Sequence, residues 1–453
     1  MQSEKMKGEI TVFLALLFSV FSGLVLTVIE SARIQAIRVQ SEQVMQGSIH
    51  SVFGEYNQDL LSLYGLFAID GSFRGAQGSI ENVREHLSEY AEENFLSSDA
   101  EQQRSDWLKL HAREMKIKQF QLLSDKEGAV LTDQAVRYER ERGQLPNRSD
   151  IVHAVHQMQT DDGSSFLSMF SEYLSHAGDV EDNPAEDVFE TAVNADLLDL
   201  TLGEGHPSGS MGRDCASRRS LQQGTYAGKT DAAEDGDYIF DAYLLEKFGN
   251  YVHPKDHAVM LCEQEYLIAG KGSEGDCLRE CAKRILSQRE GQTFSGFTGN
   301  EEILRETEEL AEQLCENGGD PYYTQMSLIC AWAYAESVIE VSRLLYGGYV
   351  GMDGYEFPTV SLEELRNFTQ YCHACGGSGE SYDEYLAGML AQRNTRQKAM
   401  RCMDLIEENL RHAGHPGFAV DTCVTYFRAK MDVTSDYGHG CEIERDYGYF
   451  LNL

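Results

Sequence analysis

From Ile10 to Ile29 the chain reads ITVFLALLFSVFSGLVLTVI, twenty residues without a charge. An α-helix rises about 1.5 Å per residue, so this run matches the roughly 30 Å hydrocarbon core of a bilayer. Whatever follows must fold as a body attached to that helix. After Ile29 no Pro or Gly occurs until Gly47. The helix is therefore expected to continue as a stalk, on the order of tens of Å beyond the bilayer at about 1.5 Å per residue. The run is longer than the apolar core of a cleavable signal, about 7–15 residues. A cut after Ala32 would also leave Glu30 at the −3 position. The segment reads as an uncleaved anchor.

Orientation is weakly marked, because Lys5 and Lys7 precede the span while Arg33 and Arg38 follow it. A short tail at residues 1–9 and a large acidic remainder favour a cytoplasmic N-terminus and an extracytoplasmic body at the cell membrane. The next most apolar stretch, from Met326 to Tyr346, contains Glu336, Glu340 and Arg343. Such residues are costly in lipid, so it reads as a buried helix of a soluble body and one span is expected.

The formal net charge is −36, nearly all of it beyond residue 30. That excess repels nucleic acid and anionic headgroups and argues against a DNA, RNA or polybasic membrane-surface role. With 42% hydrophobic and 25% charged residues, the composition is otherwise that of a folded protein.

Within the span, Thr11, Ala15, Ser19, Gly23, Thr27 and Ser31 recur every fourth residue. Small residues at this spacing form a ridge that lets another helix approach closely, which makes a helix–helix partner in the membrane the expected association. Four residues turn a helix about 40° past a full revolution, so only part of the ridge faces one straight partner. Beyond the span, Ile34, Ile37, Met45, Ile49 and Val52 keep to one stripe, with Ser41 in the series. Such a stripe packs against the chain's own body or a neighbour's stalk.

The pattern divides the chain into a tail at 1–9, a transmembrane helix at 10–29, stalk helices at 30–69 and a first α+β region at 70–200. A Gly-rich, apolar-poor flexible linker or loop follows at 201–236, then a second α+β region at 237–453. Strands are expected at Met115 to Leu123 and at Cys262 to Gly270. A closing hairpin, Ala419 to Val433 and Cys441 to Phe450, turns at Asp436-Tyr-Gly-His-Gly. Helices are expected at Ala129 to Arg142, Tyr238 to Phe248, Asp276 to Arg289, Glu301 to Cys315, Tyr382 to Gln392 and Thr395 to His412. Helices and strands interleave without a βαβ rhythm, so the fold class is α+β.

Eleven cysteines, all beyond residue 200, leave at least one unpaired within a monomer. The sharpest motif is Cys372-His-Ala-Cys375 before a Gly-rich turn. Two thiolates at this spacing suit zinc, with Cys402, His373, His412 or His415 left to complete four ligands through the fold. The pair also suits a redox dithiol or a small disulfide loop, and with no second Cys-x-x-Cys the incidental spacing is the favoured reading. Cys277 and Cys281, four apart on a helix, read as small core residues. The pairs His153/His156 and His412/His415 lack the His-Glu-x-x-His arrangement of a zinc hydrolase. Gly270-Lys-Gly-Ser lacks the leading Gly of a phosphate loop, where Glu265 stands. No catalytic constellation is recognisable.

The opening segment, KGEITVFLALLFSVFSGLVLTVIESARIQA with SVFGEYNQDLLSLYGLFAID, resembles a family of membrane-anchored proteins from clostridia and related Gram-positive anaerobes, known as a domain of unknown function. The resemblance extends through LLSDKEGAVLTDQAVRYERER, YLLEKFGNY, EYLIAGKGS, AWAYAESVIEVSRLLYGG, SYDEYLAGML and IERDYGYF. It implies a distant likeness to the minor pilins of tight-adherence pili and an association with pilus or type II-like secretion components. A prepilin is cut after Gly and carries Glu at the fifth mature position. Here, after Gly8, that position is Phe13 and the acid comes first, at Glu9. The span is thus expected to stay in the membrane. The Cys-His-Ala-Cys segment is not part of the resemblance. The expectation is a non-enzymatic, single-span envelope component of such an apparatus. The alternative is a membrane-tethered enzyme or ligand sensor with a metal or redox site near Cys372 and Cys375.

Overall fold

A computed structural model describes residues 2–100, 108–143, 164–203, 205–212, 214–226, 228, 235–355 and 357–449. Its first element, α1 (Gln2–Gly54), is one continuous helix of 53 residues. The large apolar residues from Ile10 to Ile29 are all exposed, and it is the one helix among the described residues long and apolar enough to cross a membrane. The chain then turns through Asn57, whose side chain caps α2 (Gln58–Tyr64) by accepting from the Leu60 N–H. Gly65 ends α2 at φ +67°, and a Cβ there would stand 2.3 Å from the Tyr138 ring. The amphipathic helix expected to run to Ile69 is stopped by that close approach.

The second half of α1 is not a free stalk. Ile37, Ser41, Met45, Ile49 and Val52 are buried against α3 (Ile80–Ala100) and an antiparallel sheet. Of the two partners the stripe allowed, the structure supplies the chain's own body. The stripe starts one turn later than the sequence suggests: Ile34 is 51% exposed while Met45 is 0% exposed. At its lower end Phe53 stacks on Phe427 at 4.9 Å and meets the edges of Tyr447 and Tyr449. Glu55, just past the helix, accepts from the Tyr90 hydroxyl at 2.5 Å and lies 3.0 Å from His86 Nδ1.

The sheet has β5 (Cys423–Ser435) at its centre. On one side lies β2 (Leu110–Leu122); on the other lie the short β1 (Ile69–Asp70) and β6 (Gly440–Gly448). All pairs are antiparallel, with Met431 opposite both Met115 and Ile443. The expected closing hairpin is β5–β6. Strand β2 forms a sheet edge and bulges at two points, where Arg113 and Lys118 have no opposite residue. Bulges and basic side chains both deter edge-to-edge pairing. The other end of that edge is covered, because Thr225 and Tyr226 donate backbone N–H groups to the Phe120 carbonyl at 2.9 Å.

The remaining body is helical: α4 (Asp125–Arg142), α5 (Ser164–Ala177), α6 (Pro184–Asn194), α7 (Leu197–Leu202), α8 (Gly236–Lys247), α9 (Glu263–Ala269), α10 (Glu274–Thr298), α11 (Glu301–Leu314), α12 (Pro321–Leu345), α13 (Tyr382–Ala391) and α14 (Thr395–His412). A two-stranded ribbon pairs β3 (Tyr349–Val350) with β4 (Glu380–Ser381). Together with the sheet this is the α+β architecture read from the sequence. Helix α12 is buried around nearly its whole circumference. Its acids are satisfied inside the protein: Glu340 takes a two-pronged bond from buried Arg289 at 2.6 and 3.0 Å, and Glu336 accepts the Val360 N–H at 2.7 Å.

Two expectations require correction. Cys262 to Gly270 is a helix, α9, closed by Gly270 at φ +65°, and not a strand. Its acids turn inward to receive backbone N–H groups from the preceding loop, an arrangement that alternation cannot reveal. The stretch 201–236 is apolar-poor as read, yet its described residues are tied to the body. Met211, Cys215 and Ala216 are buried, and Ser217 N–H donates to Asp404 at 2.7 Å. Arg219 forks onto Glu407 at 2.7 and 2.5 Å and reaches Asp421 at 2.5 Å. Polar bonds to buried acids replace apolar area as the means of attachment. One hydrophobic core draws on both sides of this stretch, from Leu131 and Phe170 to Val338 and Leu405.

The seam on α1 gives a direct test. Met45→Ala is expected to lower the unfolding free energy by about 2–5 kcal/mol, as for other buried large-to-small changes. Ile34→Ala, on the same stripe, should stay within about 0.5 kcal/mol. Denaturant titration of the detergent-solubilised chain, followed by circular dichroism, reads both.

Candidate functional site

The sequence directs attention first to Cys372 and Cys375. Cys372 is buried at the end of a 3₁₀ stretch (Leu362–Tyr371), and burial pushes its thiol up to about 11, opposed by the Ser342 hydroxyl. Cys375 is exposed, 3.4 Å from the Tyr346 carbonyl. Neither is in a disulfide, and all eleven cysteines are free thiols. Of the residues proposed to join them, Cys402, His412 and His415 lie elsewhere. Cys402 is buried in α14, where burial pushes its thiol well up, and His412 is exposed at that helix's end. His373 stands beside the pair, with its ring edge against Tyr346. His415 is held elsewhere, its Nε2 2.7 Å from Asp59 and its Nδ1 3.5 Å from the Asn57 amide. Among the described residues no three His, Cys, Asp or Glu side chains gather as a metal site. His153 and His156 lie outside the described residues. Cys277 and Cys281 are fully buried, as read from their spacing.

What the structure does bring together, and the sequence did not signal, is a set of buried acids around α9. Glu263 accepts the Gly249 N–H at 2.8 Å and the Asn409 amide at 2.7 Å. Glu265 accepts the Tyr251 N–H at 3.0 Å and the Tyr382 hydroxyl at 2.9 Å. Glu274 accepts the N–H groups of Leu261 at 2.5 Å and Gly209 at 2.9 Å. Carboxylates used this way clamp a loop by its backbone, and both oxygens of Glu263 and Glu274 are occupied by protein donors. Burial pushes Glu263 and Glu265 up to about 7. Glu290, on α10, is 2% exposed and meets no cation among the described residues; burial alone pushes it up to about 8. Burial thus favours the neutral form of Glu263, Glu265 and Glu290 in the core of an acidic protein.

The feature with the clearest outward consequence is the junction between α1 and the hairpin. His439, in the β5–β6 turn, forms an ion pair with Glu30, the first residue after the apolar run. The Arg33 guanidinium lies over the Tyr437 ring, 3.7 Å from its centroid. Further along, Cys441 Sγ is 3.5 Å from Ser41 Oγ, and Arg445 pairs with Glu42 at 3.3 Å. The body thus grips the helix from the first polar residue onward, and no bare segment separates the apolar run from the fold.

A family of unknown function, DUF5702, matches residues 176–435. The chain belongs to this family. No curated protein and no solved structure matches it. The DUF5702 segment includes α6 to α14 and strand β5, but β5 finds all its partners outside the matched residues, in β1, β2 and β6. Val424, Phe427, Ala429, Met431 and Val433 of the DUF5702 segment accordingly pack in the same cluster as Met45 and Val52 of α1. The matched region depends on α1 and the strands beside it for its sheet.

The buried acids make stability depend on pH. Glu263, Glu265 and Glu336, up at about 7, and Glu290, up at about 8, hold protons that an unfolded chain releases near the ordinary 4.5. Their contribution is complete below that ordinary value and is lost as pH rises through the folded values. The thermal midpoint is expected to fall between about pH 5 and about pH 8. Glu290→Gln should flatten part of that fall. Scanning calorimetry across that range measures it, and an unchanged slope would exclude Glu290 as a contributor.

Proposed function

We propose that this DUF5702 protein is a non-enzymatic, single-span membrane component, serving as a structural or accessory part of a pilus-like or type II-like secretion apparatus. The observation that carries the reading is the division of α1. Its first part exposes an uninterrupted apolar surface from Ile10 to Ile29, while its second part is a core element of the body. A helix built this way transmits position between bilayer and body without a hinge. In the proposed orientation the nine-residue tail is cytoplasmic and the acidic body lies outside.

The ridge of Thr11, Ala15, Ser19, Gly23, Thr27 and Ser31 is the proposed contact with a partner span. Its members are exposed, and a Cβ on Gly23 would meet nothing within 4 Å. Thr27 returns its hydroxyl to the Gly23 carbonyl at 2.8 Å, so its polar group is satisfied within the helix. That leaves a shallow surface on which a second backbone can rest.

Cross-linking of the full chain in its native membrane tests the reading. The wild-type chain is expected to give a defined adduct with another membrane protein or a second copy. Gly23→Leu should lower its yield by about fivefold, the loss of roughly 1 kcal/mol of helix packing. Equal yields with equal membrane insertion would rule the ridge out.

A further inference from the structure

The β5–β6 hairpin returns along α1 until its tip lies beside the first residues after the apolar run. His439 pairs with Glu30, and Tyr437 lies under Arg33. Measured along the helix, Glu30 and Arg33 are about 1.5 and 6 Å beyond Ile29, at 1.5 Å per residue. The headgroup layer on each side of a bilayer is roughly 5–8 Å deep, the difference between total and hydrocarbon thickness halved. Any tilt of α1 brings these residues closer to the lipid. The tip therefore occupies headgroup depth whenever the apolar run occupies the hydrocarbon.

The side chains there suit that layer. Tyr437 is 49% exposed despite its contact with Arg33. Tyrosine partitions to the membrane–water boundary, where its ring lies among the upper chain carbons and its hydroxyl among polar heads. Beside it Lys109 and His111 approach Asp436 at 3.8 and 3.6 Å. The Asp436 N–H donates to the Lys109 carbonyl, and the Ser435 hydroxyl to that of Leu108, so the start of β2 and the turn form one tip. At this tip Glu30 and Asp436 are matched by Arg33 and Lys109. The strong acidity of the body, which opposes close approach to lipid phosphates, is locally neutralised where the approach must occur.

We propose that the tip formed by Tyr437, His439 and Lys109 is a second membrane contact. It rests in the headgroup layer of the leaflet from which α1 emerges and fixes the body's tilt and rotation about the helix. The occupant of this surface is the lipid bilayer itself. The inference rests on the reading of α1 as a span, and the experiment separates the two. A benzophenone-bearing amino acid is placed at Tyr437 or at Tyr447 of the full chain, which is reconstituted into phosphatidylcholine–phosphatidylglycerol vesicles and irradiated. Tyr447 packs on Phe53, about 30 Å further along α1 than Arg33 at 1.5 Å per residue, and serves as the distant site. Vesicles that float with the protein and yield lipid adducts at position 437 several-fold above those at 447 support the inference. Flotation with equal or no adducts at the two positions overturns it and leaves the span intact. Failure to float overturns the span reading, and the inference with it.

Discussion

The rest of the structure depends on a change of environment part-way along one helix. From Ile10 to Ile29 the exposed surface of α1 is uncharged and mainly apolar, and from Ile37 onward only one stripe is apolar, facing β5, β6 and α3. The backbone does not break between the two regimes. The sheet needs this helix, because without Met45, Ile49, Val52 and Phe53 its inner face would be uncovered. Through β5 the DUF5702 segment needs the sheet. Helix α1 and the body are thus one packing unit, joined by side-chain contacts.

Where hydrophobic period decides structure, the sequence was readable. The apolar run of α1, the stripe beyond it, strand β2, the closing hairpin, helix α8 and the helices from α10 to α14 all follow from spacing and turn residues. Helix α12 was recognisable as a soluble core element because Glu336 and Glu340 argued against lipid, and both have internal partners. Where polar groups decide structure, the reading failed. Glu263 and Glu265 alternate with neutral residues as in a strand, and nothing local shows that their carboxylates bind the backbone of residues 249 and 251. The stretch around Arg219 lacks apolar residues and so resembles a linker, yet Arg219 reaches Glu407 and Asp421, roughly two hundred residues later. The Cys372 pair failed in the opposite way, since its spacing suggested chemistry while the fold buries one thiol and exposes the other. Short motifs carry no information about which distant side chains will join them.

Charge is distributed for two purposes. Among the described residues many acidic side chains lie at the surface, where an excess of one sign opposes close approach of other anions. A smaller group is internal and serves as acceptors, some for backbone N–H groups, others for the guanidinium groups of Arg219 and Arg289. A neutral hydrophobic residue of similar volume could fill the same space, but could not hold a loop by its amides. Those internal acids fix where irregular segments run, which apolar packing leaves unspecified.

The position of β5 in the chain imposes an order on assembly. Helix α1 precedes β2, which is complete by residue 122, but their common partner begins only at Cys423. Until then the stripe from Ile37 to Val52 lacks the sheet that covers it, and β2 has two open edges in place of one. Closing such a distant pairing is slow, because the entropy of ordering a long loop precedes the reward. The nascent chain therefore carries an unfinished sheet from the completion of β2 until β5 is made. The basic residues at the β2 bulges, Arg113 and Lys118, protect it against mispairing for longer than the finished molecule requires.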